Sequence, residues 1–443
     1  MTTQEAAEKW GITVRQVQSG CESGRIEGAI RTGHMWLIHK DAQKPADGRR
    51  KATKQSKAEE KPMSDSYELR LYDTTLLSFE LSSDSAVGYS AVIKEVGEQK
   101  TLFPLDLELT GDGILKWLER RVIPKNRTFV EEILRTFGLN TSDTKGIIDI
   151  CKGLSLNDSY WIVQEDFDGK FADYNLYENR FSEILSLVAL TGVIQRDVEF
   201  FTSPELTTNG MLPKAWRFIE GEGIYLYKGG TSGFANTGKE PYCEYYASQI
   251  ATAMNLDAVQ YDLENWKNIL VSKCKLFTNI DTAFIPIGRI VTTGGISEVV
   301  KYYDKLGRKY ADAVRDMLVF DALIYNEDRH FGNFGLLRNN HTGEIIAPAP
   351  IFDNGISLFN LAMKDDYKNL EEYAKTRSPA YRGTTFEGIC KSYMTARQVE
   401  KLRKILTFSF VRHFKLNLPE EHLIAIEKHM NKRASQLIGL ARS

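Results

Sequence analysis

One polar loop limits what this chain can fold into. In "NEDRHFGNFGLL", residues 326–337, an acid, a histidine and an asparagine stand between two apolar runs. The run before it, "VRDMLVFDALIY", places Met317, Leu318, Phe320, Ala322, Leu323 and Ile324 close together and predicts a buried helix. After the loop come a strand, a turn over 339–343, a second strand and then "IFDNG". The loop is therefore fixed at one end by a helix and at the other by a strand, the mark of a mixed α+β fold. Asp328 and Asn333 are five residues apart, and Asp353 follows twenty residues later.

Those residue types suit phosphoryl transfer, which asks little of a protein. One carboxylate must align the acceptor hydroxyl and take its proton, and oxygen ligands must hold Mg2+ against the phosphates. Asp328 suits the first task, Asn333 and Asp353 the second. His330 is a candidate for positioning the loop or touching the γ-phosphate. The plainer alternatives are a calcium or structural Asp/Asn cluster, or a kinase-like fold without activity.

A second group lies upstream. "SPELTTNGMLPKAWRF", residues 203–218, leads small hydroxyl residues into Asn209-Gly210 and then to Lys214. A glycine turn lets backbone N–H groups approach a phosphate, and a nearby lysine adds charge. Asn-Gly is also an ordinary hairpin turn. In the strand "GIYLYKGG", Ile224, Leu226 and Lys228 share a face because side chains repeat every two residues. A lysine on a buried face needs an anion, and Glu244 on the helix "EPYCEYYASQIATAM" can supply it. Two more strands and an exposed "TNID" connection complete a nucleotide-binding lobe and hinge, with Phe277 near the base.

The ordered set Lys228, Glu244, Asp328, Asn333, Asp353 resembles the HipA-like Ser/Thr kinases. They share the D-R-H-x-x-N form of "DRHFGN" with phosphatidylinositol kinases. The resemblance runs from about Leu206 to the end of the chain, and more weakly back to about Tyr67. It implies a two-lobed kinase fold, ATP with Mg2+, and transfer to a protein serine or threonine. It also implies a toxin-like or regulatory enzyme, with an antitoxin-like helix-turn-helix partner. Relatives carry an inactivating autophosphorylation serine over the nucleotide, and Thr207 and Thr208 stand in that region here. Asn354 replaces the phenylalanine of the DFG motif found in most eukaryotic kinases.

The front of the chain reads separately. Thr2 or Thr3 caps a helix with Ala6, Ala7 and Trp10 inside, and Gly11 ends it. Thr13 caps a second helix carrying Val14, Val17 and Cys21, and short strands at 26–30 and 35–38 follow. The arrangement resembles excisionase-type winged helix-turn-helix domains. That implies Arg15, Gln16 and Ser19 at a major groove, with Arg25, Arg31 and His34 near phosphates. Gly20 costs the second helix about 1 kcal/mol of propensity. A protein-interaction domain of the same shape is the alternative.

Residues 44–62 have few apolar side chains, and 44–58 hold six Lys/Arg against one acid, a basic flexible linker. The expected domains are thus 1–43, the linker 44–64, an α+β subdomain 65–205, a kinase N-lobe 206–280 and a C-lobe 281–443. In 65–205, strands are expected up to "GEQKTLFPLDLEL", then three helices. Ser155, Asp158 and Ser159 read as turn residues.

A net charge of −2 confines any nucleic-acid contact to a local patch. Five dispersed cysteines, no CxxC pair and no signal-like N-terminus predict a cytoplasmic chain without structural zinc. No apolar run is long enough to span a membrane. Two other functions compete: a DNA-binding regulator whose kinase fold only senses nucleotide, and a lipid kinase.

Overall fold

The computed structural model describes residues 2–22, 26, 30–32, 35–38, 42, 44, 64–84, 88–180, 183–192 and 211–441. The chain divides into two compact units, Met1–Lys61 and Pro62–Ser443.

In the first unit, α1 (Thr3–Trp10) is capped by Thr2 in a capping box with Glu5, and Gly11 closes it in the left-handed region at φ 63°. Helix α2 (Val14–Glu22) follows, then the antiparallel strands β1 (Ile30–Thr32) and β2 (Met35–Leu37). Ala6, Ala7, Trp10, Val17, Cys21, Ile26 and Ile38 form the core. Two expectations need correcting. Val14 is exposed, and the first strand begins at Ile30, with Ile26 buried at a bend.

The second unit opens with β3 (Ser64–Leu71), β4 (Thr74–Asp84) and β5 (Gly88–Val96). Helices α3 (Gly111–Glu119), α4 (Val130–Arg135) and α5 (Thr144–Cys151) come next, followed by β6 (Tyr160–Gln164). The four strands make one sheet in the order β5-β4-β3-β6. The segment 97–109 is not a strand but turns around a short 3-10 helix, Lys100–Leu102. Pro104 lacks the N–H that a strand ladder uses. Strand β6 carries no alternation to betray it, since its first four residues are all buried. Asp158 at the turn before β6 pairs with buried Arg121 at 2.7 Å.

Helices α6 (Phe171–Tyr174) and α7 (Glu183–Thr191) lead to β7 (Lys214–Ile219) and β8 (Gly223–Gly229). Then come α8 (Glu240–Ala253), β9 (Tyr261–Trp266) and β10 (Ile269–Lys275), giving a sheet β7-β8-β10-β9. Its residues Ala215, Tyr227, Trp266 and Val271 share a core with the first sheet.

A third sheet is built from β11 (Thr282–Pro286), β12 (Gly335–Asn339) and β13 (Ile345–Pro348). Around it lie α9 (Gly295–Leu306), α10 (Arg308–Ile324), α11 (Leu370–Ala374), α12 (Phe386–Tyr393), α13 (Ala396–Arg403) and α14 (Glu420–Leu440). Their core includes α8 through Tyr246, Ala247 and Ile250.

Between β10 and β11 the Ile280 carbonyl accepts three hydrogen bonds: from Tyr72 Oη at 2.9 Å, Ser159 Oγ at 2.6 Å and Asn340 Nδ2 at 2.9 Å. Arg338 on β12 reaches the first subdomain too, donating to Phe103 O at 3.0 Å and Tyr160 Oη at 2.8 Å.

No helix among the described residues is long and apolar enough to cross a membrane.

Candidate active site

Strand β8 lies inside its sheet, so Lys228 is held from both sides. Its Nζ donates to Glu244 Oε1 at 2.5 Å and also to Asp353 Oδ1. Glu244 is 1% exposed and Lys228 7%, while the Asp353 side chain keeps 33% of its surface. Glu244 Oε2 accepts the Asn354 N–H at 2.7 Å, so one carboxylate holds both the strand lysine and the "DNG" backbone. Asp353 has φ 57°, a conformation aspartate tolerates better than most residues, and its N–H donates to Tyr261 Oη at 3.1 Å.

Burial works against the charge on Lys228, but Asp353 and Glu244 overcome it and raise the lysine above its ordinary pKa. Burial raises Glu244, and Lys228 only partly offsets this. Burial also pushes on Asp353, yet Lys228 wins there and holds it below the ordinary range. Lys228 is shared by two acids, of which only Asp353 keeps an exposed face on the cleft, and Lys214 adds to the charge that keeps Asp353 ionised. An ionised carboxylate that faces a cavity can serve as an oxygen ligand for a cation.

Helix α10 stops at Tyr325, which turns left-handed at φ 54°. Asn326 is buried beyond it, donating to Asp321 Oδ1 at 3.1 Å and accepting the Asp328 N–H at 3.0 Å. Arg329 is fully buried and binds four groups. It pairs with Asp321 at 3.0 Å, donates to Asn333 O at 3.0 Å and Asn354 Oδ1 at 2.5 Å, and reaches Phe352 O. One planar guanidinium thus fastens the helix end, the 328–333 loop and the 352–354 loop to each other. Asn333 Nδ2 donates to Asp328 O at 3.0 Å, which leaves its Oδ1 available as a ligand.

A cleft joins these parts. Lys214, Lys228, Asn333 and Asp353 line its polar end. Leu226, Phe277, Phe284 and Phe352 line its apolar end, with Phe277 5.5 Å from Phe284 and 5.3 Å from Phe352 between ring centres. Phosphates fit the first end and a flat base the second. Leu156 and Asn157, from the turn before β6, form part of the wall, and nothing in their sequence announced it.

Asp328 is exposed beside Asn333 and does not line the cleft. Lost hydration raises its pKa; His330 opposes this and Asp353 adds to it. His330 is exposed and accepts the Gly332 N–H at 3.0 Å; it faces a neighbouring groove with Arg289 and Phe331. The two depressions share Pro286 and Gly332.

Thr207, Thr208, Asn209, Gly210, Arg25 and His34 lie outside the described residues, as do the side chains of Ser19 and Arg31. Arg15 is exposed, whereas Gln16 uses its Oε1 to accept the Thr13 N–H at 2.9 Å. Sequence reasoning missed Asp321, Arg329 and Tyr261. Asp321 had a signal, an acid inside an apolar helix, which must find a partner. Glu327, given no role above, pairs with Arg377 at 2.6 Å.

No protein-family profile matches the chain. In sequence it is similar to the serine/threonine-protein kinase CtkA of Helicobacter pylori (strain J99), 29% identical over 132 residues, 27% of this chain. That match spans 40% of the relative's length. The crystal structure of an H. pylori proinflammatory kinase CtkA aligns over 53% of this chain and 91% of its own, at 20% identity and a TM-score of 0.43. HipA of Shewanella oneidensis MR-1, solved as a toxin-antitoxin complex with HipB and operator DNA, aligns over 85% of this chain and 99% of its own. There the identity is 13% and the TM-score 0.51. The chain has a mixed α+β fold like that of HipA.

Proposed function

We propose that the chain is an ATP- and Mg2+-dependent protein serine/threonine kinase of the HipA-like type. The observation that carries this reading is the Lys228–Glu244–Asp353 cluster in one cleft with Asn333, next to Asp328. Lys228 and Lys214 bind the nucleotide phosphates, Glu244 orients Lys228, and Phe277 contacts the base. Asp353 and Asn333 Oδ1 are hard oxygen groups that fit Mg2+. Among the described residues no group of three or more His, Cys, Asp or Glu forms a metal cage. A two-ligand site suits an ion that arrives with its phosphates. When bound, the ion neutralises charge on those phosphates. Asp328 accepts the proton of the acceptor hydroxyl, and its raised pKa makes it a better base than an ordinary aspartate. His330 steadies the loop.

The test is label transfer from γ-labelled ATP to proteins. Asp328→Ala and Asp353→Ala should abolish transfer while the protein stays folded; persistent transfer in either variant sinks the assignment.

The finer points rest on likeness. The proposed domains are 1–43, 44–64, 65–205, 206–280 and 281–443, in a cytoplasmic enzyme of toxin-like or regulatory role. The first unit is proposed as a DNA tether or autoregulatory module acting through Arg15, Gln16, Ser19, Arg25 and Arg31, with an antitoxin-like partner. Affinity for duplex DNA that falls steeply with salt supports it. Thr207 and Thr208 are proposed autophosphorylation sites.

A further inference from the structure

Glu327 precedes Asp328, and both of its carboxylate oxygens are engaged from outside the loop. Arg377 Nη1 donates to Oε2 at 2.6 Å, and the Ser378 N–H donates to Oε1 at 3.2 Å. The Glu327 N–H in turn donates to Ile356 O at 3.1 Å, just past the "DNG" turn.

Arg377 is itself held in place. Its N–H donates to Ala374 O at 3.0 Å at the end of α11, its guanidinium lies 4.7 Å from the Tyr373 ring centre, and its Nε donates to Thr376 Oγ1 at 3.1 Å. A second contact lies four residues on, where the Tyr381 ring is 5.8 Å from Phe331. Residues 377–381 are therefore fastened at positions 327 and 331, on both sides of Asp328. Ser378 and Ala380 between them are exposed.

The pair ties the catalytic loop to a segment fifty residues on, at the residue beside Asp328. Kinases can order a segment beside the catalytic loop by pairing a phosphate on that segment with arginine. Here the anion is a carboxylate built into the catalytic loop, and the arginine is on the segment. We propose that the Glu327–Arg377 pair positions the phosphoacceptor, holding residues 377–381 as a fixed rim that guides a Ser/Thr-bearing polypeptide to Asp328 without prior phosphorylation. Both are positioning residues. The inference rests on the kinase reading above. Arg377 does not line the nucleotide cleft, so its loss should spare ATP binding.

A double-mutant cycle on the full chain tests this. Arg377→Ala, Glu327→Ala, the double variant and Arg377→Lys are compared with γ-labelled ATP, Mg2+ and a heat-killed bacterial lysate as acceptor mixture. Each single alanine variant should slow labelling at saturating ATP about 10- to 100-fold, as expected for a misplaced reactant. The ATP KM and the thermal unfolding midpoint should not change. The double variant should be no slower than the worse single one, and Arg377→Lys should recover part of the rate. Wild-type labelling by Arg377→Ala overturns the proposal, and so do losses that multiply in the double variant. A wild-type chain that labels nothing overturns the kinase reading itself, a result distinct from impaired variants that still bind ATP.

Discussion

Among the described residues of the larger unit, two buried lysine–carboxylate clusters differ in how far their acids are exposed. In the cleft, Lys228 faces two acids, and Asp353 keeps a third of its surface. On α10, Asp316 gathers three donors from α13. Lys401 donates to it at 2.8 Å, Gln398 at 2.7 Å and Arg397 at 3.4 Å. The Asp316 side chain is 9% exposed and Lys401 11%, with the remaining bond of Lys401 going to Asn255 O at 2.9 Å. Both clusters border a cavity, but only in the first does a carboxylate keep a third of its surface. The exposure of that acid separates a binding site from a brace.

The largest effects should fall on the first cluster and its neighbour. Asp328→Asn and Asp353→Asn are expected to lower turnover by about 10²- to 10⁴-fold. Asp353→Asn should also lower the melting temperature, since a carboxylate held below its ordinary range stabilises the fold while ionised; an unchanged melting temperature would contradict the direction of that shift. Asp316→Ala should act on stability alone. It leaves Lys401 buried without its acid and should cost about 3–5 kcal/mol in denaturant unfolding, with turnover per folded molecule unchanged. A turnover defect at full folding would mean that the rear cluster takes part in catalysis.

Two smaller effects sharpen the picture. Tyr261→Phe removes the partner of the Asp353 N–H and should cost about 1 kcal/mol, read as a modest fall in stability together with weaker Mg2+ dependence. The acid limb of the pH–rate profile should reflect Asp328, which must be deprotonated to act. Its pKa is raised, so activity should fall on acidification at a pH above the ordinary aspartate value of 3.8. A limb at or below that value would contradict the direction of the shift.

How much of this could be read beforehand depends on the type of signal. Chain order and a strand face were enough to pair Lys228 with Glu244, because a buried lysine must find an anion; Asp353 was expected as a metal ligand, and its bond to Lys228 was not foreseen. The rear cluster gave no such hint. Gln398 and Lys401 in "TARQVEKLRKI" look like the wet side of an ordinary helix, and only packing against α10 reveals them as interior. Strand β6 was hidden because burial on both faces removes alternation. The false strand at 97–109 arose the other way, since its apolar residues alternate while Pro104 and the 3-10 turn break the ladder. Glu327 could not be resolved at all, since its partner lies fifty residues away on a loop with no periodicity.

The crowded Ile280 carbonyl has a consequence for timing. A two-lobed enzyme can let nucleotide in and out by flexing at the strip between its lobes. Here that strip is splinted, because Tyr72, Ser159 and Asn340 grip one oxygen from both sides. Swinging the lobes apart would break three hydrogen bonds together. Under the proposed function, opening by lobe motion should therefore be slow, and departure of spent nucleotide rather than phosphoryl transfer should set the pace.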